Sequence, residues 1–327
     1  MKQQSVTCRR YNIRRDPFYD KPLMNNVDDM KLYVSLGPLG SVKVYINDTM
    51  DSSPRFVCLG GARGSGKTTL LNKLRFDFEK GRIENRPILV HIMVRRATGS
   101  GDLIKRSLLN LGQTAVKRNL LSKTNFTKLG KIAARLVSQV VKKQLGPDPY
   151  EVIKDEFKQT QDVEADLSDF YASILKKAPG IFYIIDSYDP LDIELLQLFL
   201  DEIQLLLVQN ERKVGGIITV DGDTYKKIHA MKTKTKEHAY FRAVFNEFEY
   251  IQDLSPAVHF DLVEQILIKR AEDKKCHKGR IYLPIAKETL EIIIKSFPTM
   301  RLVLQQCSRL WKYCKLEDLK KIDVKLF

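Results

Sequence analysis

Short runs of consecutive apolar residues alternate along the chain with longer segments whose apolar residues recur every three or four positions. Arg55 to Gly60 reads as a short buried-type strand, and from Lys67 to Lys80 the apolar residues Leu70, Leu71, Leu74 and Phe76 fall at helical spacing. "PILVHIMV" (Pro87 to Val94), "GIFYIIDSYDP" (Gly180 to Pro190) and "VGGIITV" (Val214 to Val220) predict three more strands. Helices are predicted over Leu191 to Gln209 and from about Asp223 to Val244, followed by a short edge strand near Tyr250. Buried-type strands separated by helical segments imply an α/β fold: a parallel five-stranded sheet covered by helices on both faces.

The pattern changes at either end of this block. Residues 1 to about 50 are mixed, with "RRDPFYDKPLMNN" marking turns, and are taken as an N-terminal arm. From Pro256 onward strands stop, and three helical segments (257–273, 287–297 and 300–314) predict a small all-helical lid domain. The expected organisation is an arm at 1–50, a core at 51–255 with a basic helical insertion near 101–176, and a lid at 256–327. Inside the insertion, Leu129, Ile132, Ala133, Leu136, Val137 and Val140 form one apolar helical face opposite Lys128, Lys131, Arg135 and Lys142.

Charge narrows the range of partners. The 327 residues carry 55 Lys and Arg against 40 Asp and Glu, a net charge of +15, which favours an anionic partner, nucleic acid first. Gly101 to Leu145 holds ten basic residues against one acid, Asp102, and "TYKKIHAMKTKTK" adds Lys226, Lys227, Lys232, Lys234 and Lys236. No apolar run is long enough to span a bilayer, and the N-terminus lacks the apolar centre of a secretory signal, so an intracellular protein of cytoplasm, nucleoid or nucleus is expected, with no membrane partner. Five cysteines without paired ligand spacing indicate reduced thiols; Cys276 beside His277 lacks a second pair to complete a zinc site.

The chemistry is announced between the first strand and the first core helix. Gly61, Ala62, Arg63, Gly64, Ser65, Gly66, Lys67 and Thr68 satisfy the phosphate-loop pattern in the strand-to-helix context it requires. Small residues let backbone N–H groups wrap phosphates, and the helix N-terminus adds partial positive charge. Lys67 is expected on the β- and γ-phosphates, Thr68 on Mg²⁺ and Thr69 on the α-phosphate, with ATP and Mg²⁺ as cofactors. The second metal ligand should be an acid at a neighbouring strand tip, and Asp186 stands there. Asp189, three residues on, would activate the attacking water or cap the helix that follows. Ser187 occupies the position after Asp186 where many such ATPases have a catalytic glutamate, so slow hydrolysis is expected.

These features together resemble the AAA+ and STAND group of ATPases over about residues 50 to 315. A small residue after the magnesium aspartate and an acid three on are similar to the NACHT branch, a resemblance that implies water activation by Asp189. Thr219, at the end of "IIT", would then sense the γ-phosphate or simply end a strand. "SFPTMRLVLQQCSRLW" resembles the lid of origin-recognition-type AAA+ ATPases, which implies a γ-phosphate-sensing role for Arg301. Arg242 in "HAYFRAVFNEFEYI" matches the place from which ring-forming relatives reach a neighbour's nucleotide. The resemblance implies an ATPase that forms a homo-oligomer with ATP, acting on DNA; the alternative is a STAND-like signalling or defence switch acting through a regulatory protein partner. A small-molecule kinase is a third reading, for which the sequence shows no acceptor pocket.

Overall fold

The computed structural model describes residues 18–35, 39–51, 56–81, 87–94, 100–121, 170–187, 214–233, 247–251, 256–271, 285–317 and 322. The chain divides into two compact units. One comprises Gly40–Gly60 and Asp77–Tyr250, the other Met1–Leu39, Gly61–Phe76 and Ile251–Phe327.

The first unit is built on a five-stranded sheet. Its strands are β1 (Phe56–Gly61), β2 (Ile88–Val94), β3 (Ile181–Ser187), β4 (Val214–Thr219) and β5 (Glu247–Ile251), in the order β2-β3-β4-β1-β5. β1 to β4 are mutually parallel. β1 and β4 lie inside the sheet and are buried along their whole length, whereas β2, at the edge, alternates buried and more accessible positions. The apolar runs are thus explained by burial on two faces. Both faces are covered. On one, Phe56, Cys58, Tyr183, Ile185 and Ile218 pack with Leu108, Leu111 and Ala115 of the helix Ser100–Lys117, and with Ile228 of the helix Gly222–Thr233. On the other, Phe182 stacks on Phe78 at the end of the helix Lys67–Glu79, ring centroids 6.0 Å apart. Gly216 leaves room for its strand neighbours: a Cβ there would stand 2.7 Å from the Tyr183 carbonyl and 2.8 Å from the Phe56 ring.

Helix labels follow chain order: α1 (Val27–Lys31), α2 (Leu39–Asp51), α3 (Lys67–Glu79), α4 (Ser100–Lys117), α5 (Gly222–Thr233), α6 (Pro256–Ala271), α7 (Lys287–Ser296) and α8 (Met300–Leu316). α4 ends where Asn119 takes φ 58° and the Leu120 N–H reaches back to the Ala115 carbonyl at 2.8 Å. Asp221 starts α5 by accepting from the Asp223 and Thr224 amides at 3.0 and 2.9 Å. Partial burial opposes ionisation of that carboxyl, yet these bonds hold it below the usual carboxylate range.

Residues 39–51 depart from the turn-rich arm expected of the first 50. They form α2, with Val42 and Ile46 fully buried and the Lys43 ammonium 2.6 Å from the buried carboxylate of Asp77. Their β-branched residues argue weakly against a helix, and tertiary burial overrides that preference.

The second unit joins the lid to the segment after β1. α7 buries Thr289, Leu290, Ile293 and Ile294, and α8 buries Val303, Leu304, Cys307, Leu310, Trp311 and Cys314, stripes of period three to four that meet Val263 and Leu267 of α6. Phe18 of the arm enters the same core, edge-on to Trp311 at 6.0 Å. The arm is tied down in several further places. Asn26 caps α1, Asn72 Nδ2 donates to the Leu23 carbonyl at 2.8 Å, and Lys269 Nζ donates to the Tyr33 carbonyl at 2.7 Å. Arg270 donates to the Tyr19 carbonyl while its guanidinium lies over the Tyr19 ring, 4.2 Å from the centroid.

Candidate nucleotide site

The loop between β1 and α3 is shaped by glycine. Gly64 and Gly66 take φ of 94° and 106°, which lets the chain turn at Ser65, whose N–H reaches the Ala62 carbonyl at 3.2 Å. α3 then begins at Lys67 with its first amides outside the helical ladder, an arrangement suited to anions. Lys67 Nζ folds back over the loop and donates to the carbonyls of Gly61 at 2.5 Å and Ala62 at 3.0 Å. The Ser65 hydroxyl is buried with no hydrogen-bond partner among the described residues. A buried orphan of this kind costs roughly 1–3 kcal/mol, a cost that a bound polar group would remove.

The lid sits directly on this loop. α8 is capped by Thr299, whose Oγ1 accepts from the Leu302 amide at 3.5 Å, and the adjacent Arg301 amide donates to the Gly64 carbonyl at 3.3 Å. A Cβ on Gly64 would stand 2.6 Å from Arg301 Cβ and 3.3 Å from Thr299 Oγ1. Arg301, expected near the γ-phosphate, is thereby at the loop through its backbone and the base of its side chain.

The acidic site lies in the other unit, at the carboxyl ends of the strands. Ile185 pairs with Ile218 and Leu59 with Thr219, so β1, β3 and β4 finish in register. Asp186, 2% exposed, accepts a hydrogen bond from Thr219 Oγ1 at 3.0 Å; Thr219 itself is fully buried. The two residues singled out separately in the sequence are thus neighbours. Asp189 and Arg242 lie outside the described residues, as do the basic face at 128–142 and the Cys276–His277 pair. Among the described residues no cluster of His, Cys, Asp or Glu could hold a metal on its own, and no helix is long and apolar enough to cross a membrane.

Sequence reading missed Thr299 and the second constraint on Gly64. Thr299 had a local signal, a threonine immediately before a predicted helix. The contact between Gly64 and Arg301 had none.

The sequence profile of the KAP family P-loop domain matches residues 41–246, more than half of the chain. The chain belongs to the KAP family of P-loop NTPases. The matched span holds the phosphate loop, Asp186 and Thr219, and so supplies the nucleotide-binding core of this KAP chain. A search of curated proteins finds no match. Among solved structures the fold is similar to the Aeropyrum pernix ORC2 protein, described in ADPNP and ADP complexes, with TM-score 0.53 and 11% identity over 95% of this chain and 70% of that one. It is also similar to Cdc6p from Pyrobaculum aerophilum, with TM-score 0.52 and 11% identity over 95% and 68%. The Drosophila ORC bound to DNA gives TM-score 0.50 and 11% identity over 99% and 67%. At such identities the likeness speaks for the fold alone: a parallel sheet with helices and a helical C-terminal region.

Proposed function

We propose that this KAP protein binds ATP with Mg²⁺, hydrolyses it slowly, and uses the nucleotide state to control its assembly into homo-oligomers on DNA. The observation that carries the reading is the bond from the Arg301 amide to the Gly64 carbonyl, because it makes the lid a direct contact of the phosphate loop. A change in the loop is therefore a change under the first turn of α8. In functional terms the proposal divides the chain into an arm (1–50), a core (51–255) with the insertion near 101–176, and a lid (256–327).

The residues present suit the nucleotide. The amides of Gly61 to Thr69, the Lys67 ammonium and the orphan Ser65 hydroxyl suit phosphate oxygens, and Thr68 and Asp186 are each proposed as an oxygen ligand for magnesium. Bound there, ATP–Mg²⁺ supplies a γ-phosphoryl group open to attack by water. Lys67 would exchange its two carbonyl acceptors for phosphate oxygens. Thr219 donates a hydrogen bond to Asp186 and is proposed to orient the water or sense the γ-phosphate. Asp189 is assigned the proton of that water, Arg301 the sensing of the γ-phosphate, and Arg242 of a neighbouring copy the developing charge. With Ser187 after Asp186, hydrolysis rests on Asp189, which is the basis for expecting it to be slow.

DNA as partner is supported by the +15 charge and by likeness in fold to a complex described as bound to DNA. Size-exclusion chromatography with light scattering, in ATP, ADP and no nucleotide, each with and without duplex DNA, tests the proposal. It expects a larger species with ATP and a further shift with DNA. Assembly with ATP but no DNA binding at ~50 mM salt would transfer the reading to a switch that acts through a protein partner.

A further inference from the structure

The geometry points to a second anion site on the lid, a pocket between the arm and α8 that takes a phosphate group. The pocket has a volume of about 260 Å³ and is lined by Phe18, Asp20, Gln305, Ser308, Arg309 and Lys312. Phe18 in its lining is fully buried and packs edge-on against Trp311. Its four lid residues fall at i, i+3, i+4 and i+7 of α8, one helical face. Arg309 and Lys312 are exposed, and among the described residues neither has an ion-pair partner. Two cations standing one turn apart beside a concavity, with the Ser308 hydroxyl also in the lining, form the donor set a tetrahedral oxyanion needs.

Asp20 is the one carboxylate in the lining, and it is already engaged: Gln305 Nε2 donates to it at 2.7 Å. The lining therefore keeps an excess of positive charge. The pocket also shares its helix with the nucleotide loop. From Arg301 to Arg309 α8 runs about 12 Å at ~1.5 Å per residue, so phosphate capture at one end bears on the helix whose other end rests on Gly64.

The phosphate would come from a nucleic-acid backbone or from a free phosphate compound. The first source rests on the DNA reading above; the site does not. The test uses Trp311, the only tryptophan in the chain, which packs against Phe18 of the pocket lining. Tryptophan emission is followed at constant ionic strength and without ATP while inorganic phosphate, and separately a short DNA duplex, is added. Both probes should give a saturable change that is lost in R309Q/K312Q and kept in K287Q/K295Q, which removes equal charge from exposed positions of α7. Anisotropy should show the salt slope of duplex affinity falling by about 0.9 in R309Q/K312Q, the value for one lost phosphate contact. A response to phosphate but not to DNA would keep the site and refute DNA as its source. DNA affinity unchanged in R309Q/K312Q, with no phosphate response, would overturn the site and leave the DNA reading standing.

Discussion

The backbone amide of Arg301 donates to the carbonyl of Gly64 at 3.3 Å, joining the first turn of the lid helix to the middle of the phosphate loop. Two demands converge on Gly64: a φ of 94°, which disfavours any residue with a Cβ, and an approach by Arg301 that leaves no room for one. Gly64→Ala should therefore cost about 1–3 kcal/mol and weaken nucleotide binding. Thermal unfolding with and without ATP reads both effects. A variant as stable as the parent and equally stabilised by ATP would show that the lid does not rest on the loop.

Thr219 and Asp186 test the acidic site. Thr219→Val removes the hydroxyl that donates to a carboxylate buried to 2% exposure, and leaving such a group short of a donor costs about 1–3 kcal/mol. Thr219→Ser keeps the donor. The expected result is an ATPase rate that falls at least tenfold in Thr219→Val and recovers most of its value in Thr219→Ser. Equal rates in the two variants would remove Thr219 from the mechanism.

The arm should loosen when its anchor is cut. Arg270→Met deletes both the bond to the Tyr19 carbonyl and the stacking on the Tyr19 ring while keeping an apolar stem in the lid core. Trypsin should then cleave after Lys31 several-fold faster than in the parent protein, with mass spectrometry identifying the fragment. Cleavage elsewhere first, with the bond after Lys31 unaffected, would mean the arm is held by other contacts.

How much of this was legible in the sequence depends on the range of each interaction. Gly61 to Lys67 specifies its loop through neighbouring residues, because the required positive φ angles, small side chains and helix start all lie within one turn. The five strands and three lid helices were also legible, since burial on two faces produces apolar runs and burial on one produces a period of three to four. α2 was not, because the burial of Val42 and Ile46 and the pairing of Lys43 with Asp77 are tertiary contacts that leave no local signal. The ties from Asn72 to Leu23, Lys269 to Tyr33 and Arg301 to Gly64 end on backbone carbonyls, which leave no mark in a sequence. Asp186 and Thr219 were each recognisable as strand ends, but their hydrogen bond depends on β4 lying beside β3, an order fixed by the whole sheet.

The account stands on the loop at Gly61 to Thr69 as a triphosphate cradle. Isothermal titration calorimetry of ATP–Mg²⁺ into the parent protein and Lys67→Ala tests that claim most directly, with circular dichroism confirming that both are folded. One saturable site in the parent, and a loss of affinity of at least tenfold in Lys67→Ala, is the expected result. No heat of binding in the folded parent, or equal affinity in the two proteins, would contradict it.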